Sequence, residues 1–192
     1  MFGKFFSKFS KKNESRRGED HLWTTNAARI NGITLEVSNL LTKSSSVLVV
    51  ALDQKTLEFI TNALVDHKPE RAADAFSREA VNQVLRERCK LTVALASVLQ
   101  PSPKFDSAHE VEILVYSRHL LRTKDDAICS FADAQGQRVR VTFHLALDDE
   151  LLTKYAQGIP PLLKKLNVPP DEAIVSSMLS RAIKGAQTKN NP

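Results

Sequence analysis

The side chains best suited to acid–base or ligand chemistry fall between positions 109 and 126. His119 is followed by Asp125 and Asp126, a grouping that could transfer a proton, and His109–Glu110 could supply two metal ligands. Neither group is accompanied by a nucleophile motif, a Cys/His cluster or the spacing of a metal site. The sequence therefore predicts no catalytic residues and no metal site.

Three neighbouring residues, Arg118, His119 and Arg122, are candidates for contact with a phosphate or an acidic partner. An arginine fork binds phosphate and carboxylate groups well, but surface arginines are more often solvated or paired with a structural acid. Both interpretations stay open. The P-loop pattern GxxxxGK[ST] is absent from the sequence, so no nucleotide or other cofactor is expected.

The first twelve residues combine aromatic and basic side chains at helical spacing. Phe2, Phe5, Phe6 and Phe9 share one helical face, and the rest of the surface carries Lys4, Lys8, Lys11 and Lys12. Phenylalanine gains free energy at the boundary between headgroups and acyl chains, and lysine is attracted to anionic lipid. We predict that these eight residues bind an anionic membrane surface. Docking on a protein and a basic leader without a role stay open.

Composition and charge limit the classes of function. The chain of 192 residues is 42% hydrophobic and 26% charged, which is typical of a soluble globular protein. Its formal net charge of +5 comes entirely from the first 17 residues, so the body has no basic face that would favour nucleic acid. Two cysteines are too few for a disulfide framework, and no apolar run could span a bilayer. We expect a cytoplasmic protein.

Residues 13–20 are polar and without periodicity, so residues 1–20 are predicted to be an arm and a flexible tether. The body is expected to occupy residues 21–188, followed by a disordered tail at 189–192. Within the body, three apolar runs indicate strands buried on both faces: Val47–Leu52, Leu91–Leu99 and Val111–Tyr116. Because helical patterns separate these runs, the predicted fold is a three-layer α/β domain with an open, mostly parallel sheet.

The helices are predicted from caps and apolar spacing. Thr24, Thr25 or Asn26 caps a first helix, Asp53 caps a second, and a third is expected from about Arg71 to Arg88.

The pattern is less uniform after residue 122. Residues 123–134 are compatible with a helix or with a strand of a hairpin. Val139–Leu147 alternates apolar and polar residues, which predicts a strand near an edge with one wet face. A last helix is expected to begin at Pro169 and to turn inward Ile174, Met178 and Ile183.

Several stretches resemble the preprotein translocase motor SecA, specifically the second of its two RecA-like nucleotide-binding domains. Phe143–Leu151 (FHLALDDEL) resembles the family's FYLSLEDEL, and Ile174–Gln187 (IVSSMLSRAIKGAQ) is similar to its IEHKMVSRSIENAQ. Ser117–His119 stands where the family has Glu-Arg-His. The resemblance covers roughly residues 23–188 and implies a RecA-like fold.

The departures from the family pattern fall on its motor chemistry. Cys129–Ala134 (CSFADA) stands where the family has RGRSGR, and Leu99–Pro103 (LQPSP) stands where it has GRGTD. ATP hydrolysis in this fold needs arginines that stabilise the transferring phosphoryl charge. The resemblance therefore implies a degenerate, stand-alone second domain without enzymatic activity.

The leading hypothesis is a non-catalytic accessory domain in protein export, peripheral on the inner face of the membrane. Its partners would be the translocation motor, its channel or an exported polypeptide. Two alternatives remain: half of an ATPase that completes a nucleotide site on another chain, and a nucleic-acid-binding relic of a helicase-like protein, although nucleic acid is disfavoured by the neutral body.

Overall fold

The computed structural model describes residues 16–100, 107–155 and 171–189, together with positions 158, 161 and 169. The strands within these residues are β1 (Arg16–Arg17), β2 (His21–Trp23), β3 (Ser46–Ala51), β4 (Glu70–Ala72), β5 (Leu91–Leu95), β6 (Val111–Val115), β7 (Val139–Ala146) and β8 (Ile174–Val175). The helices there are α1 (Asn26–Thr42), α2 (Gln54–Ala63), α3 (Arg78–Arg86), α4 (Arg122–Ala134), α5 (Glu150–Tyr155) and α6 (Ser177–Lys189).

Among the described residues, eight strands form one sheet with the order β4-β5-β3-β6-β7-β2-β8, and β1 pairs with β7. All pairs are parallel except β2 with β8. Helices α1 and α2 pack on one face of the sheet, and α3, α4, α5 and α6 pack on the other. The three-layer, mostly parallel α/β architecture predicted from the sequence is confirmed.

The local signals around β3 predict the structure well. Every residue of β3 is buried, as expected for an apolar run in the middle of a parallel sheet. Thr25 caps α1 by accepting a hydrogen bond from the amide of Ala28, and Asp53 caps α2 through the amide of Thr56. These caps fix where each helix begins.

The predicted helix from Arg71 to Arg88 is wrong in its first part. Lys68 adopts a left-handed conformation with φ of 51°, after which Glu70–Ala72 forms β4 and pairs with β5. A side-chain oxygen of Asp74 accepts a hydrogen bond from the amide of Ser77 at 2.9 Å. This turn delays the helix until Arg78. The next strand, β5, is also shorter than predicted and ends at Leu95.

The prediction that Val139–Leu147 lies near an edge with a wet face is wrong. Thr142 and His144, on the polar side of β7, are fully buried. The cause is that β1 and β2 pair with the side of β7 that faces away from β6, while α1 packs against β7.

Residues 16–20 were predicted to belong to a tether, but they are part of the fold. Arg16–Arg17 pairs with β7, and the amide of Gly18 donates a hydrogen bond to the carbonyl of Val141 at 2.8 Å. Asp20 is only 1% exposed. The described body therefore includes residues that precede the predicted boundary at 21.

Two predictions near the carboxyl end are also decided by the structure. Residues 123–134 lie in α4, so the helical alternative is the correct one. In the last helix Ile183 is buried as predicted, but Met178 is 71% exposed and Ile174 lies in β8. Leu179 takes the inward position, because it lies four residues before Ile183 and therefore on the same face of α6.

Candidate functional site

A cleft opens where β3 and β6 end, in the middle of the sheet. The chain continues from β3 toward β4 on one side and from β6 toward β7 on the other. Diverging connections leave a crevice at such a point, which is where open α/β sheets bind ligands. The cleft has a volume of about 380 Å³ and its polar lining includes Arg29, Asp53, Tyr116, Ser117, His119 and Asp149.

Arg29 forms the most buried positive charge of the cleft, with 3% of the residue exposed. Its Nη1 donates to both carboxylate oxygens of Asp149, at 2.9 and 2.7 Å. Its Cζ atom lies 3.9 Å from the ring centroid of Tyr116, which is a cation–π contact. The nitrogen Nε of Arg29 is buried without a hydrogen-bond partner in the described part of the chain.

Asp149 follows β7 and ties three elements together. Its Oδ2 accepts hydrogen bonds from the amide of Ala146 at 3.0 Å and from the hydroxyl of Ser117 at 2.9 Å. Burial raises the pKa of Asp149, and the positive charge of Arg29 acts in the opposite direction. The floor of the cleft is therefore an internally compensated ion pair rather than a free charge.

Asp53 places a carboxylate at the start of α2. Its oxygens accept hydrogen bonds from the amide of Thr56 at 2.9 Å and from the hydroxyl of Thr56 at 2.8 Å. An uncapped helix N-terminus attracts phosphate, but here the acidic cap already occupies that position. The cleft thus lacks the local electrostatics of a phosphate cradle at α2.

Arg118, one of the predicted contact residues, lines the cleft but directs its donors inward. Its Nη1 donates to Asp125 at 3.0 Å, and its Nη2 donates to Asp20 at 2.6 Å. Its side chain is 8% exposed, and the two acidic side chains are 2% exposed or less. The structural pairing that the sequence left open is therefore present, with Phe143 stacked under the guanidinium at 3.9 Å.

The other two predicted contact residues separate. His119 lines the cleft, and its Nδ1 accepts a hydrogen bond from the amide of Leu121 at 2.9 Å. Arg122 lines a neighbouring cavity of about 300 Å³ instead, where it is exposed and lies 3.6 Å from Asp126. The structure thus brings Arg118 and His119 together in the cleft and places Arg122 outside it.

The segment aligned with the family's arginine motif lies at the end of α4. Phe131 is buried in the core, and Cys129 is half-buried. Asp133 accepts a hydrogen bond from Arg17 at 2.8 Å, and the carbonyl of Cys129 accepts another at 3.0 Å. This stretch of helix contributes acceptors and an apolar surface instead of cations.

Sequence reasoning missed Arg29, Tyr116 and Asp149. The sequence does contain a signal for two of them, because Tyr116 directly follows the apolar strand β6 and Asp149 closely follows β7. The carboxyl ends of parallel strands meet at one edge of a sheet, so both belong near the same crevice. No comparable signal marks Arg29, which is 120 positions away from Asp149 in the sequence.

The predicted membrane-binding residues Phe2 to Lys12 lie outside the described residues. In the part of the chain that the structure does describe, none of the helices combines the length and apolar character needed to cross a bilayer.

No protein-family model matches the chain. It is 27% identical over 180 residues to protein translocase subunit SecA of Desulfotalea psychrophila, an alignment that covers 88% of this chain and 21% of that protein. It is 35% identical over 78 residues to SecA 1 of Corynebacterium jeikeium, covering 40% of this chain and 9% of that protein. The chain thus matches about a fifth of the first relative's length.

A solved structure supports the α/β fold described above. S. cerevisiae Dbp5, in a structure bound to RNA and ADP BeF3, superposes with a TM-score of 0.52 at 11% identity, covering 92% of this chain and 46% of that one. At that identity the likeness concerns the fold alone. The chain has a RecA-like α/β fold, as predicted.

Proposed function

We propose that this chain is a non-catalytic, SecA-like binding domain with an accessory role in protein export. The 27% identity to a SecA subunit over 88% of the chain supports the assignment to protein translocation. Its partners are then the translocation motor, its channel or an exported polypeptide, recognised through a protein surface rather than through a bound nucleotide.

The chemistry of α4 carries the non-catalytic part of this proposal. A RecA-type ATPase places arginine donors where negative charge develops on the transferring phosphoryl group. Here the corresponding segment has Cys129 and Asp133, and the nearest buried arginine, Arg118, is held by Asp20 and Asp125. Releasing Arg118 toward a nucleotide would leave two carboxylates buried without their cation, which is costly.

The placement at the cytoplasmic face of the membrane rests on residues 1–12. Because Arg16–Arg17 pairs with β7, only residues 13–15 separate the predicted amphipathic arm from the sheet. An arm inserted among anionic headgroups would therefore keep the domain within a few residues' reach of the bilayer.

Steady-state ATP hydrolysis by the purified full chain tests the non-catalytic proposal. We expect no hydrolysis that co-elutes with the protein, and co-purification with the motor or channel after mixing. Activity that follows the chain through two chromatographic steps would overturn the proposal. Hydrolysis that appears only on mixing with a second nucleotide-binding chain would instead favour the alternative in which this chain completes a nucleotide site on that chain. Binding of single-stranded RNA at low salt would favour the helicase-like alternative.

Co-sedimentation with liposomes tests the membrane placement. Two full-length variants separate the contributions of the arm: one replaces its four phenylalanines with serine, and the other replaces its four lysines with glutamine. We expect wild type to bind anionic but not neutral vesicles, with weaker binding at high salt and loss of binding in both variants. Equal binding by wild type and both variants would refute a role of the arm. A deletion should stop at residue 12, because Asp20 belongs to the core.

A further inference from the structure

Three side chains with metal-ligating atoms converge on the α1 face of the sheet. Nδ1 of His21 lies 3.7 Å from Oε2 of Glu36, and Nε2 of His144 lies 3.6 Å from the same oxygen. The three ligating atoms all fall within 4.8 Å of one another. The two imidazole rings meet edge to face, with centroids 4.7 Å apart.

The fold explains why these residues meet. His21 of β2 is the direct partner of His144 in β7, so both side chains leave the sheet on the same face. Gly32 of α1 packs directly against the ring of Trp23, which lets the helix approach β2 closely. Glu36 lies about one helical turn beyond Gly32, and this turn brings its carboxylate over the two histidines.

A buried polar atom without a hydrogen-bond partner points to a ligand at this position. His144 is fully buried, and its Nε2 atom has no hydrogen-bond partner among the described residues. A buried polar nitrogen without a partner is costly and calls for an explanation.

We propose that His21, Glu36 and His144 form a binding site for a divalent transition-metal ion, with Zn²⁺ as the representative ion. Two ligands that are each about 2.1 Å from a tetrahedral Zn²⁺ are about 3.4 Å apart, close to the separations of 3.6 and 3.7 Å observed here. A small inward rotation of His21 would bring the two histidine nitrogens into the same range. Imidazole ligands favour zinc, nickel, copper or iron over magnesium and calcium.

Two neighbouring side chains bear on this proposal: Arg140 disfavours a bound cation, and Trp23 can report on its binding. Arg140 faces the cluster and its positive charge disfavours a cation there, although Glu112 lies 3.4 Å from its Nε. The indole nitrogen of Trp23 donates to Nδ1 of His144 at 3.3 Å. A metal on Nε2 requires the proton of that imidazole to move to Nδ1, which ends this hydrogen bond. Trp23 is the sole tryptophan of the sequence, so its fluorescence reports on the site.

Titration of the metal-free full chain with Zn²⁺ tests the proposal, with calorimetry and Trp23 emission as readouts. A Cys89→Ser background removes the exposed thiol, which could bind zinc elsewhere. We expect one ion per chain, an emission change that saturates at the same ratio, and a higher melting temperature.

Glu36→Gln and His21→Gln should each weaken binding at least about tenfold, whereas His67→Gln, a matched histidine outside the cluster, should not. Arg140→Gln should tighten binding.

Either of two results would overturn the proposal. The first is the absence of saturable binding by a chain with a normal circular dichroism spectrum. The second is Zn²⁺ binding that Glu36→Gln and His21→Gln leave unchanged, or that leaves Trp23 emission unaltered.

Discussion

Arg118 donates two hydrogen bonds to a single carboxylate oxygen of Asp20, from Nε at 3.0 Å and from Nη2 at 2.6 Å. The amide of Asp20 in turn donates to the hydroxyl of Ser180 in α6 at 3.0 Å. One residue just before β2 thus joins the end of the central strand β6 to the last helix. Residues 16–20 are therefore a structural part of the domain.

Replacing Asp20 with asparagine should destabilise the fold strongly. The variant leaves the guanidinium of Arg118 buried with only one of its two carboxylates, and removing one partner of a buried pair typically costs about 3–5 kcal/mol. Because Asp125 remains, we expect the lower end of that range. Urea unfolding followed by circular dichroism measures the change in the free energy of unfolding.

The matched control is Glu19→Gln, which removes the same charge from the exposed neighbour of Asp20. Its effect should stay within about 0.5 kcal/mol. Equal losses in the two variants would mean that overall charge, rather than the contact with Arg118, stabilises this segment.

The free energy of unfolding should depend on pH through Glu112. Burial raises the pKa of Glu112 from 4.5 to about 7, although Arg140 and Arg16 oppose the rise. The folded state therefore binds this proton more tightly than the unfolded state. Its stabilising effect is complete below pH 4.5 and is lost as the pH rises toward 7.

Glu112→Gln mimics the protonated side chain and should remove that loss. We expect the variant to match wild type near pH 4.5 and to be more stable than wild type at pH 7.5, as measured by urea unfolding at both values. Glu110→Gln, at an exposed neighbouring position, serves as the control. A constant difference between Glu112→Gln and wild type across this range would contradict the assignment.

The sequence predicts the central elements because their signals are local. The run of apolar residues from Val47 to Leu52 and the acidic cap at Asp53 can be recognised without knowledge of distant residues. The same reasoning fails at β7, because an alternating pattern arises both in a half-exposed strand and in a strand whose polar side is covered. The pairing of β1 and β2 with β7, together with the packing of α1 against β7, buries Thr142 and His144. These contacts join residues that are about 100 or more positions apart in the sequence.

The candidate cleft was predictable only in part. Arg118 and His119 follow a recognisable strand, so their location near a strand end could be expected. Their roles depend on partners that the sequence does not mark. Asp20 lies 98 positions before its partner Arg118, in a polar stretch without periodicity. Nothing in that stretch indicates the pairing, so the sequence predicted a tether there.

The close contact of α1 with β2 predicts opposite outcomes for two glycines. A methyl group at Gly32 would overlap the ring of Trp23, which is 6% exposed and cannot swing away. Gly32→Ala should therefore cost about 1–3 kcal/mol. Gly185 in α6 has open space around it, so Gly185→Ala should gain about 0.5–1 kcal/mol from helix propensity. Thermal unfolding compares them, and stabilisation by both would show that α1 can move away from Trp23.

Asp53 allows the effect of capping to be separated from the effect of charge at the mouth of the cleft. Asp53→Ala removes both the acceptor for the amide of Thr56 and the negative charge, and should cost about 1 kcal/mol. Asp53→Ser keeps an acceptor of the kind preferred at this position and removes only the charge, so it should cost less than about 0.5 kcal/mol. Urea unfolding of both variants decides between the two effects. If serine and alanine are equally destabilising, the carboxylate stabilises α2 through its charge at the positive end of the helix dipole rather than through the capping hydrogen bond.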